Sequence, residues 1–140
     1  VVSGWSSYLH PLGDDHLIGI GRDVDPVTQQ MIGMQVSLFD VTDPAAPLLD
    51  DRHVEPVGWN GSEAEWDHHA FNWFDPLGVL AVPLVTWDWW SPCPEPGCDG
   101  SMRWTNELKL YRIAPGTGVE PAGFFAAKRV NRKPPAARMA

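Results

Sequence analysis

Apolar positions in this chain recur at a spacing of two rather than three or four. Met34, Val36 and Leu38 alternate with Gln35 and Ser37, and Phe39 and Val41 then change phase. Such a run predicts a strand with both faces partly buried. It ends at Thr42-Asp43-Pro44, where Asp can bond its own backbone and proline fixes φ, so the chain must turn. The same strand-then-turn unit returns at Glu107-Leu108-Lys109-Leu110-Tyr111-Arg112-Ile113-Ala114, followed by Pro115-Gly116. No window of a dozen residues carries a helical period, and no run is long enough to span a membrane.

The repetition organises the rest. Tyr8–Leu12 predicts an entering strand and Gly13-Asp14-Asp15 a tight turn. His16–Gly21 predicts a very apolar second strand, whose Gly19 and Gly21 imply that backbone or a bulky side chain packs closely there. A polar loop over 22–30 precedes the strand described above, and 47–54 predicts a more polar edge strand. A Gly/Asn/Ser-rich linker around Trp59 covers 55–66. The second pass then reads strand 67–74, turn 75–78, strand 79–85, an insertion over 87–104, strand 107–114 and a last strand over 119–126. Leu17 and Val79 are 62 residues apart, Leu38 and Leu110 are 72 apart, and the ten extra residues fall in the 87–104 insertion.

Repeated four-stranded antiparallel units of this length predict β-propeller blades. The expected architecture is all-β: one blade over 1–54, the linker 55–66, a second blade over 67–126 and a basic, disordered tail over 127–140. Two blades cannot close a ring. The expectation is therefore a piece of a larger propeller, with the rest of the ring in the parent chain. The 14 Pro and 13 Gly fit many short strands.

Charge narrows the partners. All 18 acids lie at or before Glu120, and half of the ten bases lie in the tail at Lys128, Arg129, Arg132, Lys133 and Arg138. Residues 1–127 thus carry five bases against eighteen acids, a net −13, which argues against gripping a nucleic-acid backbone. The two cysteines lie in Cys93-Pro94-Glu95-Pro96-Gly97-Cys98. A small stapled loop is the expectation, with free thiols the other reading, because a metal site would want two further soft ligands nearby. A disulfide points to an exported protein.

Three dense motifs carry a family resemblance. Tyr8-Leu9-His10-Pro11-Leu12-Gly13-Asp14-Asp15-His16-Leu17-Ile18-Gly19-Ile20-Gly21, Val36-Ser37-Leu38-Phe39-Asp40-Val41-Thr42-Asp43-Pro44 and Asp67-His68-His69-Ala70-Phe71 occur in that order. Over about residues 5 to 126 the chain resembles the secreted bacterial and archaeal proteins with a C-terminal β-propeller domain, distantly related to WD repeats. The resemblance implies an exported, sometimes membrane-anchored protein without an established enzymatic activity. Two features depart from it: the long 87–104 insertion, and the basic sequence after Phe125.

Three constellations bear on chemistry. Glu63-Ala64-Glu65-Trp66-Asp67-His68-His69 offers metal ligands or an acid–base pair, but neighbouring residues on a strand point to opposite faces, so His68 and His69 cannot both chelate without a bulge. The plain alternative is a buried His–Asp pair that locks blade to blade. Asp23 and Asp25 place oxygens at alternate positions, an arrangement that suits calcium or another hard cation, or simply a solvated turn. Trp87, Trp89, Trp90 and Trp104 surround the cysteine loop, either as a docking face for a glycan or protein or as the loop's own small core. No Ser/His/Asp, Cys/His or phosphate-loop pattern is present.

Two functions follow. The first is a non-catalytic extracytoplasmic binding or scaffold module with no resident cofactor, its partner a protein or glycan met through the loops. The second is a metal-dependent hydrolase or lyase, with Asp67, His68 or His69 converging on Asp23 or Asp25.

Overall fold

A computed structural model of the chain describes residues 3–55, 59–90 and 100–126. Among the described residues nine strands form two antiparallel sheets. Sheet 1 holds β1 (Trp5–Leu12), β2 (His16–Val24), β3 (Met31–Asp40) and β4 (Leu48–Val54) in that order. Sheet 2 holds β5 (Trp59–Gly61), β6 (Asn72–Phe74), β7 (Val79–Trp90), β8 (Ser101–Ala114) and β9 (Gly118–Ala126). Its path is β5-β7-β8-β9, and β6 also pairs with β7. The four-stranded antiparallel units expected from the repeat are thus present. In sheet 2, two short strands share the first place.

Turn chemistry sets the strand ends. Asp40 Oδ1 accepts from the Thr42 N–H at 2.8 Å and Asp43 Oδ1 from the Ala45 N–H at 3.0 Å, so the Asp-Pro turn is closed by its own carboxylates. Between β2 and the chain before it, glycine is required by space. A Cβ on Gly21 would lie 2.0 Å from the Trp5 carbonyl oxygen, and one on Gly19 would meet the Phe39 ring at 2.8 Å. Phe39 follows Leu38 in regular register against β2 and so stands on the opposite face of β3; the bulge beside it is in β4, where Asp50 is left over between the Leu38–Asp51 and Phe39–Leu49 pairs.

The register explains where the core sits. Ile18 pairs with Leu38 and Ile20 with Val36, so all four share one face of sheet 1. Leu80 pairs with Tyr111, and they share one face of sheet 2 with Val82, Leu84 and Ile113. These two faces bury each other, with Met34 and Val119 completing the layer. Each Leu or Ile so enclosed contributes roughly 1.5–3 kcal/mol. Polar bridges fix the sheets in register. The Val119 N–H donates to Asp51 Oδ2 at 2.8 Å, the Met34 N–H to Asn60 Oδ1 at 2.7 Å, and the Tyr111 hydroxyl to Glu55 Oε1 at 2.5 Å. Burial, and then the Glu55 carboxylate, push the Tyr111 hydroxyl far above its ordinary range, so it stays a donor.

Three stretches differ from expectation. The strand predicted over 67–74 is only Asn72–Phe74, because Asp67 caps a 3-10 turn at His68–Ala70. The stretch read as linker contributes β5 and a second 3-10 turn at Glu63–Glu65. Both described ends of the predicted insertion are strand: β7 runs on to Trp90 and β8 begins at Ser101, with residues 87–90 paired to 101–104. Cys93, Cys98 and the basic tail lie outside the described residues.

Candidate functional site

The segment between β5 and β6 leaves sheet 2 and packs against sheet 1. Ser62 opens it with a reciprocal cap: its hydroxyl accepts from the Ala64 N–H at 3.2 Å, while Glu65 Oε1 accepts from the Ser62 N–H at 2.9 Å. Glu65 Oε2 then receives Arg22 Nε of β2 at 2.7 Å, and Arg22 Nη1 donates to the Asn60 carbonyl oxygen. Ala64 and Phe71 are buried, Phe71 with its ring 5.0 Å from Tyr8 and 4.9 Å from His10. An ion pair and an aromatic cluster therefore hold both ends of this segment to sheet 1.

Its middle faces water. Asp67 Oδ1 accepts from the His69 backbone N–H at 2.9 Å and lies 3.0 Å from His69 Nδ1. The His69 amide, and then its ring, hold the Asp67 carboxyl below the usual carboxylate range. A 3-10 turn does not alternate faces as a strand does, so His68 and His69 lie side by side with ring centroids 4.0 Å apart. One ligand atom from each of Asp67, His68 and His69 falls within 4.8 Å of the others. The geometric objection to joint chelation thus disappears with the strand that raised it.

Asp23 and Asp25 do not join them. Asp23 is buried, taking Ser3 Oγ at 2.8 Å and Arg52 Nη1 at 3.0 Å. Asp25 takes the Val27 and Thr28 amides at 2.8 Å each, which hold its carboxyl below the ordinary range. One is an internal ion pair and the other a turn closure.

The tryptophans form a row. Trp59 of β5 pairs with Trp87 of β7, and Trp87 with Trp104 of β8, so the three rings share the face of sheet 2 turned away from sheet 1. Trp59 and Trp104 are 67% and 64% exposed. The pairing of β8 with β9 begins only at Glu107, so the row stands beyond the four-stranded part. The backbones of Trp89 and Trp90 pair with Met102 and Ser101, while their side chains lie outside the described residues. Trp59 also borders a cleft of about 490 Å³ with Arg22, Gln30, Met31, Ile32 and Asn60. Sequence reasoning placed Trp59 in a linker. Its partnership with Trp87 needs the β5–β7 pairing, for which a three-residue strand leaves no periodic signal.

The family model for the beta propeller domain matches residues 1–136. The chain belongs to the beta propeller domain family. Among curated proteins this propeller chain is similar to an uncharacterized protein of Methanocaldococcus jannaschii, at 35% identity over 82 residues. It is also similar to an uncharacterized protein of Archaeoglobus fulgidus, at 32% identity over 82 residues. Each match covers 59% of this chain and 12% of the relative. No solved structure gives a significant match. Among the described residues no helix is long and apolar enough to cross a membrane.

Proposed function

We propose that this propeller chain is a non-catalytic binding and scaffold module working outside the cytoplasm, and that it docks a protein partner through the tryptophan row. The observation that carries this reading is the alignment of Trp59, Trp87 and Trp104 across three strands, with the outer two rings exposed. Aromatic rings supply large, rigid contact area and dominate interface energetics. A protein is favoured over a glycan because apolar groups outnumber hydrogen-bonding ones along the same face, where Asn72 and Asn106 also stand. Leu108 pairs with Phe125 and Phe74 with Val79 on that face, and Phe74, Leu108 and Phe125 are exposed. The segregation in sheet 2 supports a scaffold role too: Leu80, Val82, Leu84, Tyr111 and Ile113 build the core from one face, and the other carries the exposed aromatic groups.

The test is a photocrosslinking residue, p-benzoylphenylalanine, placed at Trp104 in the parent protein in its native host. An intermolecular adduct that disappears when Trp59→Ala is added supports docking. Adducts confined to the parent chain assign the face to blade packing and overturn the proposal.

A further inference from the structure

We propose that Asp67, His68 and His69 form a solvent-facing binding site for a divalent transition-metal ion of borderline softness, such as Cu²⁺, Ni²⁺ or Zn²⁺. Imidazole nitrogen with one carboxylate oxygen is a donor set suited to these ions rather than to calcium or magnesium, which prefer oxygen alone.

Three observations carry the proposal. The first is convergence: one ligand atom from each residue lies within 4.8 Å of the others. Metal–nitrogen and metal–oxygen bonds of roughly 2.0–2.2 Å put neighbouring ligand atoms about 3.4 Å apart in a tetrahedral shell, so small side-chain rotations close the site. The second is availability. The His68 ring makes no hydrogen bond among the described residues and lies with its centroid 4.0 Å from that of the His69 ring. Its lone pair is uncommitted. The third is preorganisation. Asp67 Oδ1 accepts from the His69 backbone N–H and stands 3.0 Å from its ring Nδ1, already near the spacing of two ligand atoms on one ion.

The turn holding these residues is rigid for reasons unconnected with any ligand. Phe71 is buried between Tyr8 and His10 on one side, and Glu65 is tied to Arg22 on the other. The exposed middle is thus presented on a fixed base. Three protein ligands leave coordination positions open, so the bound ion would still accept a water or a group from another molecule.

The experiment uses the untagged chain titrated with Cu²⁺ by isothermal calorimetry, with electron paramagnetic resonance on the one-to-one sample. The expected result is one strong site whose spectrum shows nitrogen hyperfine coupling from imidazole. His68→Ala and His69→Ala should each weaken it at least tenfold and Asp67→Asn several-fold, while His16→Ala, at a histidine paired with Asp15 and outside the cluster, leaves it unchanged. His68 and His69 are exposed, so their variants should keep the parent's circular dichroism. Absence of stoichiometric binding overturns the proposal. So does binding that survives His68→Ala/His69→Ala, or that His16→Ala abolishes.

Discussion

The two sheets share one plan and differ most at their first strand. In sheet 1 that place is filled by β1, eight residues pairing with β2 from Trp5 to Leu12. In sheet 2 it is filled by β5 opposite residues 85–87 and β6 opposite 79–81, with the segment 62–71 leaving between them. The repeat offset of 62 sets Gly21 of β2 against Pro83 of β7. Gly21 lets the Ser6 backbone close over it, whereas Pro83 carries no N–H for a first strand to receive and stands where none pairs. One position of the repeat therefore favours continuity in one sheet and interruption in the other. The released segment becomes a wedge between sheets at its ends and an exposed Asp-His-His group in its middle.

Removing the wedge's apolar anchor should have the largest effect. Phe71→Ala empties the space between Tyr8 and His10, and a buried Phe→Ala change costs about 3–5 kcal/mol. A urea midpoint that falls with an unchanged slope is the expected readout. An unchanged midpoint means that the segment only rests on the surface and that the sheets hold each other without it.

The next substitution probes continuity against interruption. Gly21→Ala brings a Cβ to 2.0 Å from a backbone oxygen, which no side-chain rotation relieves. The cost should be about 3 kcal/mol, at the upper end for overpacking. Pro83→Ala restores an N–H where no first strand waits, and should stay within about 1 kcal/mol of the parent. Equal costs at the two positions would sink the account of the split strand.

Much of this was legible in the residues. Period-two runs such as Met34-Gln35-Val36-Ser37-Leu38 become strands because each face meets a different environment, and Asp43-Pro44 turns the chain through local hydrogen bonds alone. Trp59-Asn60-Gly61 is too short to show a period, so only the pairing with β7 reveals it as a strand. Asp67-His68-His69 looks extended beside Phe71-Asn72-Trp73-Phe74 because period two cannot register a single 3-10 turn. The signal for that turn lay in Asp67, an N-cap residue, just as Ser62 with Glu65 three residues on, a capping pair, marked the turn before it. Pairings such as Arg22 with Glu65 and Tyr111 with Glu55 span 43 and 56 residues, and no local pattern announces them.

The smallest effect concerns the exposed middle of the wedge and follows from acid. Asp67 has its folded-state pKa below the ordinary 3.8, chiefly because the His69 amide donates to it. A depressed carboxylate pKa contributes stability above the unfolded value, and that contribution is lost as pH falls through the folded one. The cap should therefore persist through neutral and mildly acidic pH, begin to weaken near 3.8 and release His69 only below that. Carboxyl-detected NMR titration should place Asp67 below 3.8. The His69 amide should lose protection, relative to its intrinsic exchange rate, over the same window. If Asp67 titrates at or above the ordinary value, the capped turn is not the solution structure, and the side-by-side placement of His68 and His69 goes with it. In β1, which needs no side-chain cap because β2 supplies its hydrogen bonds, amide protection relative to the intrinsic exchange rate should stay flat across that range.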